Sequence, residues 1–92
     1  MMLKLIVVDD ERNAAELVVR CLEKSNLNLK TVGIFESAPE ALEYIKHNTV
    51  DIVLTDIKMP EMDGLTFLEI LSENYPSVKT VVFSGFDDFN FA

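Results

Sequence analysis

The chain has 92 residues, which is the length of one small domain. Hydrophobic residues make up 49% of it, enough to build a core, so a disordered chain is excluded. Eight basic and sixteen acidic residues give a formal net charge of −8, which argues against direct nucleic-acid binding by this segment.

The cysteine content and the amino terminus indicate the compartment. Cys21 is the one cysteine of the chain, which excludes an internal disulfide and fits a reducing environment. The first residues lead directly into a strand pattern and lack the shape of a signal peptide. No apolar stretch approaches membrane-spanning length. We therefore expect a cytoplasmic protein with no membrane contact.

The first elements are a buried strand and an amphipathic helix. An unbroken apolar run predicts a central strand from about Lys4 to Asp9, with Asp10 next to it. A helix from about Arg12 to Lys24 follows. Its inward stripe is predicted from helical spacing to contain Ala14, Leu17, Val18, Cys21 and Leu22. On this stripe Cys21 is expected to be part of the core.

The second strand and helix carry local signals for a bulge and a cap. The strand is predicted from about Leu29 to Phe35, with Gly33 as a weak point or a bulge. Ser37 is placed to cap the next helix, because its hydroxyl can accept a bond from a first-turn amide. That helix is predicted to end near His47, whose positive form suits a helix C-terminus and for which we expect no catalytic part.

The third strand leads into the most informative stretch of the chain. It is predicted from about Asp51 to Thr55 and is followed by Asp56-Ile-Lys-Met-Pro-Glu-Met-Asp-Gly64. We expect Gly64 to allow a tight turn before a helix that stops ahead of Pro76. A lone carboxylate at the carboxyl end of a strand lies where open α/β sheets hold their ligands.

The fourth strand, from Lys79 to Phe83, is followed by Ser84. Strands that alternate with helices predict parallel pairing and right-handed crossovers. The expected fold is α/β, a flavodoxin-like doubly wound sheet with strand order 2-1-3-4. This order places the first and third strands side by side, and it therefore brings Asp9 and Asp10 next to Asp56. Three converging carboxylates predict a site for a hard cation such as Mg²⁺.

The acid pair, the string from Asp56 to Gly64 and the strand-end hydroxyl of Ser84 together resemble the receiver domain of two-component response regulators. This resemblance implies that Asp56 accepts a phosphoryl group from a sensor histidine kinase. It also implies an output domain, and the residues after Ser84 resemble receivers that carry a helix-turn-helix output domain.

The resemblance further assigns roles around Asp56. Asp9 and Asp10 match the acid pair that binds Mg²⁺, with Asp10 and Asp56 favoured as direct ligands. The backbone carbonyl of Lys58 matches a further metal ligand. Ser84 matches the hydroxyl residue that turns toward the phosphoryl group and moves the following loop.

The chain departs from the family pattern at its C-terminal end. We interpret residues 1–92 as a receiver domain that is incomplete there, because most of the fourth helix, the fifth strand and the fifth helix are not found in it. The lysine that contacts the phosphoryl group in the family is absent with them. The fourth strand would then be a sheet edge, and we expect a homodimer or larger assembly through it.

Three functions remain open at this point. The favoured one is a phosphoacceptor signalling module rather than an enzyme. The second is a non-switching interaction fragment that self-associates through its exposed sheet edge. The third is a phosphatase or phosphotransferase with an aspartyl intermediate. It is less favoured because such enzymes usually supply an additional acid or base beside the nucleophile, whereas here Lys58 stands two residues after Asp56.

Overall fold

The computed structural model describes residues 2–25, 27–59 and 61–83. Four strands and three helices alternate in this part of the chain. They are β1 (Leu3–Val8), α1 (Arg12–Lys24), β2 (Leu29–Phe35), α2 (Ala38–His47), β3 (Ile52–Asp56), α3 (Gly64–Asn74) and β4 (Lys79–Phe83). None of the described helices is both long and apolar enough to cross a membrane.

The four strands form one parallel sheet in the order β2-β1-β3-β4. This confirms the predicted doubly wound α/β fold and its strand order. In the centre, Val8 of β1 pairs with Thr55 of β3, so the residues that follow them leave the sheet at the same edge. This pairing positions the candidate site.

Helices cover both faces of the sheet, and each face has its own core. On one face, α2 and α3 pack against β1 and β3, and the fully buried Phe67 is the largest side chain there. On the other face, α1 packs over Leu5 and Val7, which are also buried. The central strands are therefore covered on both sides, as their unbroken apolar sequence predicts.

The inward stripe predicted for α1 was partly wrong. Cys21 is exposed, and Leu17 keeps 44% of its surface accessible. Val18 and Leu22 of the predicted stripe do pack against the sheet, together with Ala15 and Val19, which were not predicted. The apolar positions of α1 form two overlapping helical stripes, and periodicity alone does not separate them. The small side chain of Ala15, which is fully buried, belongs to the stripe that lies against the sheet.

The predicted irregularity in β2 is present. The register between β1 and β2 shifts between Leu5, which pairs with Thr31, and Ile6, which pairs with Gly33. Val32 is thus the extra residue of a bulge, directly before Gly33. At the end of β2, the Ser37 hydroxyl caps α2 as predicted, accepting a bond from the amide of Glu40 at 3.4 Å.

The turn between β3 and α3 needs its glycine for close packing and not for a positive φ. The left-handed backbone conformation of this turn is at Glu61, with φ of 70°, and not at Gly64. Gly64 is instead the first residue of α3, and its amide donates to the carbonyl of Ile57 at 2.8 Å. It is required by the close approach of backbone atoms rather than by its own dihedral angle.

Candidate functional site

Three carboxylates meet at the C-terminal end of the central strands, where β1 and β3 end. Asp9 directly follows β1, and Asp56 is the last residue of β3. Asp9, Asp10 and Asp56 each offer one carboxylate oxygen, and these atoms all lie within 4.8 Å of one another. Strand order alone brings the three residues together, because the carboxyl ends of adjacent parallel strands lie at one edge of the sheet.

Asp9 is the buried member of the acid pair and is 1% exposed. Its Oδ1 accepts a bond from the amide of Glu11 at 2.9 Å, while its Oδ2 is buried and has no hydrogen-bond partner. Burial raises the pKa of Asp9 to about 6, and the negative charges of Asp56 and Asp10 add to this effect. A buried carboxylate oxygen with no donor is unusual in a folded protein, and either a cation or a proton shared with the Asp56 carboxylate would supply the missing partner.

Asp56 has a similar arrangement on the neighbouring strand. Its Oδ1 accepts a bond from the amide of Ile57 at 2.8 Å. Burial raises its pKa above the ordinary value of 3.8, the amides of Ile57 and Lys58 oppose that rise, and the charge of Asp10 adds to it. In both Asp9 and Asp56, the Oδ1 atom therefore accepts a bond from a neighbouring backbone amide.

The donor set fits a divalent cation with a preference for oxygen. The three clustered groups are all carboxylates, and Mg²⁺ binds such ligands while it keeps several waters. Asp10 is exposed and lies on an open depression of about 600 Å³, so an ion could enter from solvent with its hydration shell. A cation there would compensate both the unpartnered Asp9 oxygen and the repulsion among the three charges.

Of the two further residues predicted for the site, the structure describes one. Lys58 is exposed and lines the same depression, beside Asp10 and Ile57, and its backbone amide bonds to the Asp56 carboxylate. Ser84, predicted to be the hydroxyl that responds to the phosphoryl group, lies outside the described residues.

Sequence reasoning overlooked Asp63, which also lines the depression. Its side chain caps α3 by accepting a bond from the amide of Thr66 at 2.8 Å. This bond holds the pKa of Asp63 below its usual value. The signal was available, because an Asp directly before a helical pattern is a common N-cap.

His47 lies at the end of α2, as predicted, and is exposed. Its Nε2 lies 3.4 Å from a carboxylate oxygen of Glu43 on the same helix. This contact is an exposed pair within one helix, and pairs of this kind contribute little to stability.

The chain matches the family model described as the response regulator receiver domain over residues 5–92. It is 38% identical over 91 residues to the uncharacterized transcriptional regulatory protein YesN of Bacillus subtilis (strain 168), a match that covers 99% of this chain and 25% of that protein. It is 33% identical over 86 residues to the DNA-binding transcriptional regulator NtrC of Escherichia coli (strain K12), covering 94% of this chain and 18% of that protein. The chain thus spans a quarter or less of the length of these two relatives.

Among solved structures, the RcsB response regulator of Salmonella typhimurium has a similar fold. The TM-score is 0.83 at 22% sequence identity, and the match covers 90% of this chain and 42% of that one.

Proposed function

Since the chain belongs to the response regulator receiver family, we propose that it accepts a phosphoryl group on Asp56 from a phosphorylated histidine of a sensor kinase in a Mg²⁺-dependent reaction. The observation that carries this proposal is the convergence of Asp9, Asp10 and Asp56, with a buried and unpartnered oxygen on Asp9. Such a cluster is costly without a cation and suited to phosphoryl transfer with one.

The roles of the residues follow from their positions. An oxygen of Asp56 attacks phosphorus, the new O–P bond forms as the P–N bond to the kinase histidine breaks, and the electron pair of that bond leaves with the histidine nitrogen. A metal ion at this site would offset the negative charge of the transferred group. Asp9, Asp10, Asp56 and the Lys58 carbonyl would hold it. The Ile57 amide orients the nucleophile by binding its Oδ1.

The consequence of phosphorylation is proposed to be a change in an output segment. Ser84 would turn toward the phosphoryl group and carry the following residues with it. The relatives named above include transcriptional regulators, so we propose an output that controls transcription from the cytoplasm. With a net charge of −8, this segment itself is a poor partner for DNA, and the output segment would make the contact.

A second candidate function is self-association, with or without phosphorylation. Among the described residues β4 pairs with β3 alone, and Val81 on it is 47% exposed. A solved structure of RcsB, a protein of similar fold, contains two dimers bound to two parallel DNAs. We propose that this chain pairs through β4.

Incubation with a small acyl phosphate tests the phosphoacceptor function against the enzymatic alternative. We expect the folded chain to retain at most one phosphoryl group per molecule, with Mg²⁺ and not with a chelator. Consumption of many donor equivalents without a retained group would favour a phosphatase or phosphotransferase. A folded chain that retains no phosphoryl group and consumes no donor would contradict the proposal and leave the interaction fragment.

A further inference from the structure

The peptide group between Asp56 and Ile57 is held on several sides. The Thr55 hydroxyl donates to the carbonyl of this peptide, that of Asp56, at 3.0 Å, and the Gly64 amide donates to the carbonyl of the next peptide, that of Ile57, at 2.8 Å. Thr55 is fully buried and Gly64 is buried, so water does not compete for either hydrogen bond. The Thr55 hydroxyl therefore holds this peptide directly, and the Gly64 amide holds the peptide that follows it.

Gly64 packs directly against this peptide. A Cβ atom added at Gly64 would overlap with the carbonyl oxygen of Asp56 and would lie 3.0 Å from the Cα of Ile57. Both are backbone atoms, so no flexible side chain can move aside. Any larger residue at position 64 must therefore displace either the start of α3 or the peptide itself.

The same peptide orients the nucleophile. Its carbonyl belongs to Asp56 and its N–H to Ile57, and this N–H donates to Asp56 Oδ1 at 2.8 Å. Because a peptide is planar, a rotation that moves the carbonyl also moves the N–H. The Asp56 carboxylate would then lose the bond that fixes its rotamer. Position 64 is thus coupled to the Asp56 side chain through one rigid group.

We propose that Gly64 and Thr55 are positioning residues for Asp56, which together clamp the 56–57 peptide so that its N–H holds the carboxylate in the reactive orientation. The proposal rests on the proposed function for its catalytic consequence. Its structural part, the clamp, stands on the hydrogen bonds and the close approach of Gly64 alone.

The first test compares two glycine variants. Gly64→Ala should expose the Ile57 amide to hydrogen exchange in the metal-free chain. It should also slow the labelling of Asp56 by an acyl phosphate on the order of 100-fold, the scale expected for misplacement of a reacting group by about 1 Å. Gly33→Ala is the matched control. A Cβ there would lie 2.7 Å from the ring of Phe35 on β2 and would contact neither Gly64 nor the 56–57 peptide, so it strains the fold but leaves the clamp intact.

The second test uses Thr55, so that a folding failure of Gly64→Ala still leaves the proposal testable. Thr55→Val keeps the shape and removes the hydroxyl, whereas Thr55→Ser keeps the hydroxyl. We expect faster Ile57 amide exchange and slower labelling in the Val variant, and recovery of both in the Ser variant.

The outcomes distinguish the clamp from the proposed function. If the Ile57 amide exchanged at the wild-type rate in folded Gly64→Ala, or in Thr55→Val, the clamp would be overturned. The Gly64 and Thr55 variants could change the exchange of the Ile57 amide as expected while wild type is never labelled. That result would support the clamp and contradict the proposed function. Equal labelling of wild type and folded Gly64→Ala would overturn the positioning role.

Discussion

Asp9 and Asp56 are buried carboxyl groups; the Glu11 amide binds the first, and the amides of Ile57 and Lys58 bind the second. Burial raises both pKa values, and the nearby negative charges add to the effect. A fold that retains such groups without compensation loses stability when they ionise. At the level of single residues, ionisation of these carboxyl groups therefore lowers the stability of the fold, and a bound cation would offset this loss.

Asp9→Asn tests this cost in the metal-free chain. The pKa of Asp9 is raised from 3.8 to about 6, so its contribution to stability is complete below about pH 4 and is lost as the pH rises through about 6. Asn has no such dependence. The stability of the variant relative to wild type should therefore increase between pH 4 and pH 7, by about 3 kcal/mol at most.

Chemical denaturation at a series of pH values, in the presence of a chelator, measures this difference. Parallel pH profiles for the two proteins would contradict the burial argument. Adding Mg²⁺ at pH 7 should stabilise wild type more than the variant, because a ligand stabilises the state that binds it.

The residues of the site differ in how far the sequence could predict them. Asp9, Asp10 and Asp56 were brought together by strand order, which a β-α alternation largely determines. The unpartnered Asp9 oxygen and the contacts of Thr55 and Gly64 were not predicted. They depend on differences of a few tenths of an ångström between atoms in a loop. Neither hydrophobic periodicity nor turn propensity predicts such differences.

At the level of elements, the ends of the described helices and strands lie within about one residue of the ends predicted from the sequence. The strands are apolar runs, and the helix ends carry local signals such as the Ser37 cap. The face of α1 was harder to predict, because its apolar positions fit two adjacent stripes. The structure selects the stripe with Ala15, which allows a close approach to the sheet.

The corrected face of α1 predicts the chemistry of Cys21. The thiol is exposed, so it should react with an alkylating reagent in the native chain without denaturant. Intact mass after a short treatment measures the modification. If Cys21 reacted only after unfolding, the assigned orientation of α1 would be wrong.

The capping residue of α2 predicts a stability change. Ser37→Ala removes the hydroxyl that accepts the bond from the Glu40 amide, so the free energy of unfolding should fall by about 1 kcal/mol. Ser72→Ala is the matched control, because Ser72 is exposed inside α3 and bonds only to the Glu69 carbonyl of its own helix. Equal loss of stability in both variants would contradict the capping role.

At the scale of the whole molecule, one edge of the sheet stands out. The residues of β4 are β-branched or aromatic except for Lys79, and the first three of the strand are exposed. An edge of this kind offers unpaired backbone groups to another chain, and charged residues are the usual protection. This is the physical basis for the self-association proposed above.

Val81→Lys should weaken that association, because it places a charge in the middle of the edge. We expect the dissociation constant to rise on the order of tenfold, which corresponds to about 1.4 kcal/mol. Leu27→Lys makes a comparable change at a residue that is 61% exposed and lies between α1 and β2, away from β4. Light scattering at micromolar concentrations compares the three proteins. A wild-type chain that is strictly monomeric and unfolds cooperatively would rule the association out.

Asp56 is proposed above to be the phosphoacceptor of a metal-assisted site. Intact mass after treatment with an acyl phosphate and Mg²⁺ tests it most directly, on wild type, Asp56→Asn and Asp51→Asn. Asp51 is the matched control because it lies at the other end of β3, where its carboxylate accepts a bond from the Lys4 amide. We expect wild type and Asp51→Asn to gain the mass of one phosphoryl group, and Asp56→Asn to gain none. Undiminished labelling of Asp56→Asn would contradict the account.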